Sequence, residues 1–418
     1  MRSLIRRLCL SGISLLMTTS LSHAETEVRI GVLYPLTGAA AASGVEEKAA
    51  AELAAAIINR EIPAPPGLVA GIGLPNLKGA KLKLVFGDHQ TNPQVGATEA
   101  ERLITQEHVV ALLGCYLSNV TATASQVAER YGIPFLNGSS SSTPLTQRGF
   151  KWFFRTSPHD ELFVANFFDF FKDLETKKGI KIKTLGLFNE NTLWGTETTK
   201  LETRLADEQG YSITEKIIYP AKTTEMTAEV QRLKAADPDV VLQSSYLGDA
   251  LLSMKTYKEQ GFTPRMLLAN DTGFIDSEFL KTLGHDADFV LSRDVWSLDL
   301  GDRFPLIRLV NDLMRQRNNV NFTGSSAREF TAVAVIADAI NRAGSTDPEA
   351  IRKALAATDI PGQGTIMPWK GIRFDATGQN VLGSGIIVQV QNAQYVTVWP
   401  LDIATHDIAL PAPAGTKH

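Results

Sequence analysis

Cysteine is scarce in this 418-residue chain: there are two, Cys9 and Cys115. Cys9 lies in an N-terminal apolar stretch, so a chain that lost that stretch would hold Cys115 alone and could form no internal disulfide. A chain of this size has core enough to fold without one. Cys115 adjoins an apolar strand, which reads as a buried structural thiol rather than a reactive one. Beyond the N-terminus no apolar run reaches the ~20 residues that a membrane-spanning helix needs. The seven histidines stand singly, with no metal-ligand spacing. There is no G-x-x-x-x-G-K-[ST], G-x-G-x-x-G, G-x-S-x-G or H-E-x-x-H, and no recognisable pair of catalytic acids. No enzyme activity, cofactor or metal is therefore expected. A net charge of −4 argues against nucleic acid or an anionic membrane surface as partner.

What is present begins with a secretory signal over residues 1–24. Arg2, Arg6 and Arg7 make a positive n-region, Leu8–Met17 a short apolar core, and Ser22-His23-Ala24 a small-x-small cleavage site. Cys9 precedes most of the apolar core, which argues against a lipid-anchored cysteine. Cleavage after Ala24 removes three arginines and no acid, leaving a more acidic, secreted chain long enough for two domains.

Strand-like and helix-length segments alternate along almost all of the remainder. Val28–Leu36 precedes an Ala-rich helix, Gly44–Asn59, and Leu82–Phe86 precedes Asn92–Glu107. A second series runs from Thr184–Asn189 through Trp194–Gln209, Ile213–Tyr219, Thr227–Ala236, Val240–Ser244 and Asp249–Gln260 to Met266–Ala269. Such βαβα order predicts α/β architecture, with parallel sheets covered on both faces and two doubly wound, Rossmann-like lobes. A helix at the join, Asp160–Glu175, carries Phe163, Phe167, Phe168, Phe170 and Phe171, read as a core-facing stripe. Residues 62–81, rich in Pro and Gly, read as an irregular insertion; Ile386–Val390 and Tyr395–Val398 read as late strands before a Pro-containing tail.

The most informative segment is 110–149. Val109–Leu113 ends in a turn with Ser118 and Asn119, and Ile133–Leu136 empties into Gly138-Ser139-Ser140-Ser141-Ser142-Thr143. Two successive parallel strands would deliver both hydroxyl-rich loops to one carboxyl edge, where open α/β sheets bind ligands. Hydroxyls and free backbone N–H groups suit a small polar or anionic group such as a carboxylate. Turn formation alone accounts for one such loop, but less readily for two on neighbouring strands.

The opening VRIGVLYPLTGAAAASG and the stretch AERYGIPFLNGSSSSTPLTQRGFKWFFRTSPHD resemble the periplasmic leucine/isoleucine/valine-binding family of bacterial ABC transporter substrate-binding proteins. That family includes binders of amides, urea and aromatic acids. The resemblance implies a type I periplasmic binding protein with a ligand cleft between its lobes and three crossover strands. It implies lobes divided as 25–158 and 293–383 on the N-terminal side, and 159–292 and 384–418 on the other. It implies a monomer, outside the cytoplasm, that hands a small molecule to a membrane ABC permease. Carried over by position, Ser118, Ser139 and Ser141 would hold a ligand carboxylate, and Asp271 would face its ammonium. Tyr246 and Trp194 would supply aromatic walls. Asp271 as the N-cap of a helix over Phe274–Leu283, and Trp194 as ordinary core, are the alternative readings.

The sequence departs from the family's leucine binders in three places. Asp271 replaces a glutamate, Ala41-Ala42-Ser43 replaces an aromatic in the first loop, and the usual disulfide is missing. An amino acid is the first expectation for the ligand, with amides, urea or an aromatic carboxylate beside it. A sensory module of the same fold and a secreted hydrolase are the rival classes.

Overall fold

The computed structural model describes residues 27–410. The expected signal peptide and the end of the Pro-containing tail lie outside the described residues. Two parallel-stranded sheets organise the chain. The first contains β1 (Glu27–Tyr34), β2 (Lys81–Asp88), β3 (Ala111–Gly114), β4 (Phe135–Asn137) and β5 (Phe153–Arg155), in the order β2-β1-β3-β4-β5. The second takes β6 (Thr184–Glu190), β7 (Ser212–Tyr219), β8 (Val240–Ser244), β9 (Leu267–Ala269) and β10 (Leu291–Asp294). A separate pair, β11 (Asp359–Pro361) and β12 (Gly371–Arg373), stands apart. The chain then returns to the second sheet with β13 (Ile386–Gln391) and β14 (Gln394–Trp399), an antiparallel hairpin added beside β10.

Helices α1 (Ala41–Ile58), α2 (Pro93–Thr105) and α3 (Ser118–Tyr131) cover the first sheet. Around the second lie α4 (Asp160–Lys178), α5 (Leu193–Gln209), α6 (Thr227–Ala236), α7 (Leu247–Glu259) and α8 (Ser277–Leu283). Then α9 (Pro305–Asn318), α10 (Gly324–Ala343) and α11 (Pro348–Ala356) return to the first lobe, where α10 lies along α1. Both of these helices are rich in alanine, and small side chains let two helices approach closely. The chain thus passes between lobes three times: after β5, after β10, and between β12 and β13.

The alternation expected from sequence is present, with helix ends shifted by a few residues. Asn92 caps α2 by accepting from the N–H groups of Gln94 and Val95, and Thr192 caps α5 through Gly195. The phenylalanine stripe of α4 is core: Phe167, Phe168, Phe170 and Phe171 are buried with Leu185, Leu187 and Leu242 of the second sheet. The 62–81 insertion is more ordered than its composition suggests. Two short 3-10 turns bury Leu68, Ala70 and Leu74, and Asn76 exchanges hydrogen bonds with Asn341 of α10. It covers the outside of the first lobe.

Candidate functional site

Strands β3 and β4 are parallel neighbours, pairing Leu112 with Phe135 and Leu113 with Leu136. Both hydroxyl loops therefore leave the same sheet edge, and both are buried where the two lobes meet. The serine loop is shaped from beneath by Arg155, the last residue of β5 and fully buried. Its guanidinium donates to the carbonyls of Ser140 (3.2 Å) and Ser142 (2.8 Å), to Thr146 Oγ1 and to Gln379. Gly138 lets the loop approach α10: a Cβ there would sit 2.3 Å from Glu329 Oε1.

The three expected serines are not equivalent. Ser118 opens α3, and its hydroxyl accepts from the Ser142 N–H at 3.4 Å. Ser141 points across the seam and accepts from Arg293 Nη2 at 3.2 Å. Ser139 instead turns into its own lobe, with Oγ 2.6 Å from Glu329 Oε1 and 3.1 Å from Glu47 Oε1. One hydroxyl hydrogen serves one acceptor, so the two carboxyls compete for it. Burial, then the neighbouring Glu329, pushes the Glu47 carboxyl well above its ordinary range. The Ser139 hydroxyl is thereby occupied with supporting the loop, contrary to the role expected of it. Ser142, not singled out from sequence, has a buried Oγ with no hydrogen-bond partner.

On the opposite lobe, Trp194 is the second residue of α5 and is buried. Its ring lies 5.2 Å from that of Tyr246, which in turn lies 5.6 Å from Tyr116 of the first lobe. An aromatic wall thus crosses the seam. The Tyr246 N–H donates to Glu190 Oε2, a carboxyl that burial raises to about 8.

Asp271 is buried directly after β9, with φ +69, a region that only glycine enters freely. It is not a helix cap: Asp276 performs that task for α8, accepting from the Glu278 N–H. Nor does it stand free for an ammonium. Its Oδ2 accepts from Arg293 Nη1 at 2.5 Å and from Arg328 Nη2 at 2.6 Å. Burial opposes ionisation, yet Arg293 and then Arg328 hold the carboxyl below its usual range. Among the described residues its Oδ1 makes no hydrogen bond of ordinary geometry.

Three charged residues of this cluster were not foreseen. Arg293, in β10, lies flat on Phe163 at 3.8 Å from the ring centre and donates to Asn270. Arg328, in α10, donates to the carbonyls of Ser139 and Gly324. Asp160, the first residue of α4, is fully buried 3.6 Å from Arg293; among the described residues neither carboxylate oxygen makes a hydrogen bond of ordinary geometry, although the Ser141 hydroxyl and the Trp194 indole N–H lie close enough to favour its ionised form. Burial pushes its carboxyl above the ordinary value, with Arg293 the main opposing influence. Asp160 ends the quoted FFRTSPHD stretch, so the signal for it was within reach. Arg293 and Arg328 offered none, because each stands among other polar residues of its element and its partner lies far away in the chain. Among the described residues no cluster of ligands suited to a metal ion occurs, and no helix is long and apolar enough to cross a membrane. Cys115 is buried and its thiol pushed up by desolvation, as befits a structural cysteine.

This arrangement can receive a small molecule with a donor-rich and an acceptor-rich end, walled by aromatic rings. Comparison with known proteins agrees in fold. A family profile described as periplasmic binding protein matches residues 27–394. The chain is 29% identical over 394 residues to Leu/Ile/Val-binding protein homolog 7 of Brucella suis, covering 93% of this chain and 95% of that one. A substrate-binding protein for branched-chain amino acids from Streptococcus pneumoniae, solved with isoleucine, superposes with a TM-score of 0.73. It is 20% identical, covering 92% of this chain and 100% of its own. A solute-binding protein of an ABC transporter from Rhodopseudomonas palustris, solved with 3,4-dihydroxybenzoic acid, gives 0.74 at 17% identity, covering 93% and 99%.

Proposed function

Because this chain belongs to the periplasmic binding protein family, we propose that it captures a small carboxylate-bearing solute by closing its two lobes and delivers it to a membrane ABC permease. A branched-chain amino acid is the first choice of ligand. One observation carries this reading: donors and orphaned acceptors converge in one buried seam. Arg293 and the hydroxyls of Ser118, Ser141 and Ser142 would receive the carboxylate. The two oxygens of Asp160 and the Oδ1 of Asp271 lack hydrogen bonds of ordinary geometry, and a buried acceptor without a donor costs about 1–3 kcal/mol. A ligand ammonium would satisfy them. Trp194, Tyr246 and Tyr116 would enclose the apolar part.

The relatives' named ligands include both isoleucine and an aromatic acid. An aromatic carboxylate is the second reading, favoured by the aromatic wall and by the neutralisation of Asp271. Calorimetric titration against a panel of amino acids, amides, urea and aromatic acids separates the two. The result expected is binding of branched-chain amino acids, with ligand raising the melting temperature and reducing the radius of gyration. Binding of aromatic acids alone would replace the first reading with the second. No change in scattering with any bound ligand would refute lobe closure.

A further inference from the structure

A second polar contact crosses the seam away from the candidate ligand site, between the N-terminal part of α1 and the start of α8. Two carboxylates meet there from opposite lobes. Glu46, in α1, accepts from the Ser277 hydroxyl of the far lobe and from Thr323 Oγ1 at 3.2 Å. Asp276, which caps α8, accepts from Ser43 Oγ of the first lobe at 2.6 Å. Each acid is thus held by a hydroxyl of the opposing lobe, and Glu46 comes within the field of Asp276.

Among the described residues, the cations near the pair are committed elsewhere. On α1, Lys48 is turned to Glu52 and the Phe86 ring, and Glu47 is engaged with Ser139. On α8, Glu278 adds a further negative charge that Lys281 partly offsets. From α10, Arg328 is committed to Asp271 and, at 3.8 Å, to Asp294 of β10. Tyr116 and Tyr395 face the pair as neutral phenols, both pushed further up by burial. Two like charges brought together in a partly desolvated seam share a proton more cheaply than they repel.

We propose that Glu46 and Asp276 form a proton-operated latch between the lobes, so that closure takes up a proton and is favoured as the pH falls. The pair rests on the hinge closure proposed above but not on the identity of the ligand. With the lobes apart, Glu46 faces water and titrates as an ordinary carboxyl. With them together Glu46 is half-buried beside the exposed Ser277, and burial and then Asp276 raise it to about 7, while burial also raises Asp276. The closed form is therefore the better proton binder between those two values. Its advantage is full below the ordinary carboxylate range and is lost as the pH rises through about 7. A protein working outside the cytoplasm meets the pH of its surroundings directly, so capture would be tuned to an acidic medium.

The test needs no ligand. One dye on each lobe, attached through Gln94→Cys and Thr224→Cys, reports the closed fraction by energy transfer. Cys115 is buried and does not react. The ratio of closed to open protein is expected to rise about thirtyfold from about pH 8.5 to about pH 5.5. Glu46→Gln and Asp276→Asn, which keep the shape and remove the repulsion, should each flatten that response and leave closure high at alkaline pH. A wild-type ratio indifferent to pH would overturn the latch. So would variants that retain the wild-type response. Because transfer is read without ligand, failure here and a wrong ligand class are separate outcomes.

Discussion

The two faces of the seam are built on different principles. The first lobe presents short hydroxyls on loops whose backbone is fixed from below by Arg155 and by the Glu47–Glu329 pair through Ser139. The second presents long or ionised side chains, with a backbone at Asp271 in a costly conformation and two orphaned oxygens on Asp160. The first face is largely satisfied within its own lobe, with Ser142 Oγ the exception, whereas the second keeps more acceptors unsatisfied. Preorganised donors lower the cost of receiving a carboxylate, while unsatisfied acceptors create the incentive to close.

The two aspartates express that contrast within a single lobe. Asp271 is clasped by two guanidiniums, one from each lobe, whereas Asp160 has an arginine near it and no hydrogen bond of ordinary geometry. The largest effect is expected from Asp271→Asn. It leaves Arg293 and Arg328 buried without their shared anion, a loss of about 3–5 kcal/mol. Binding of any ligand class should weaken at least a hundredfold and the melting temperature should fall, as calorimetry of both kinds would show. If Asp271→Asn weakened only amines, the clasp would be irrelevant and the acid a simple ammonium site.

Asp160→Asn comes next and sharpens the difference between ligand classes. An amino acid should lose about 2–5 kcal/mol of affinity, because its ammonium forfeits a desolvated partner. An aromatic carboxylate should bind as well as before or better. Equal binding of both classes to this variant would mean that Asp160 meets neither. Ser118→Ala, on the preorganised face, removes one donor of several and should cost only about 1 kcal/mol in titration. A loss as large as that of Asp160→Asn would mean the faces differ less than their geometry implies.

The smallest effect concerns stability. Glu202, buried in α5 and bonded to Asn189 at 2.7 Å, is raised by burial to about 8. A raised acid binds its proton better when folded. Its contribution is therefore complete below the ordinary glutamate range and declines as the pH climbs to about 8. Glu202→Gln should flatten that part of the melting-temperature profile. A wild-type profile level over the same range would contradict the assignment.

The fold was legible because alternation of apolar strands and helix-length segments is a local property that survives in one dimension. The serine loops were legible for the same reason, being two consecutive turns on paired strands. The clasp was not. Arg293 and Ser141 are separated by 152 positions, and Arg328 and Asp271 by 57. Each arginine stands among other polar residues of its element, and no local pattern marks the contact it makes across the seam. The resemblance supplied Asp271 but not its neutralisation, since position in a motif carries no information about what a second lobe brings to it. Ser139 illustrates the converse: its place in the loop was right, yet its hydroxyl serves a carboxyl pair contributed by α1 and α10, far away in sequence.

The hairpin β13–β14 has a consequence for how the protein is made. Until residues 386–399 emerge, β10 offers an open edge and Val396, Val398 and Trp399 are missing from the second core. The first lobe waits as well, because α10 is needed to cover α1. Neither half can therefore be completed by a ribosome that has finished only the segment between its first and last strands. Such long-range closure slows folding.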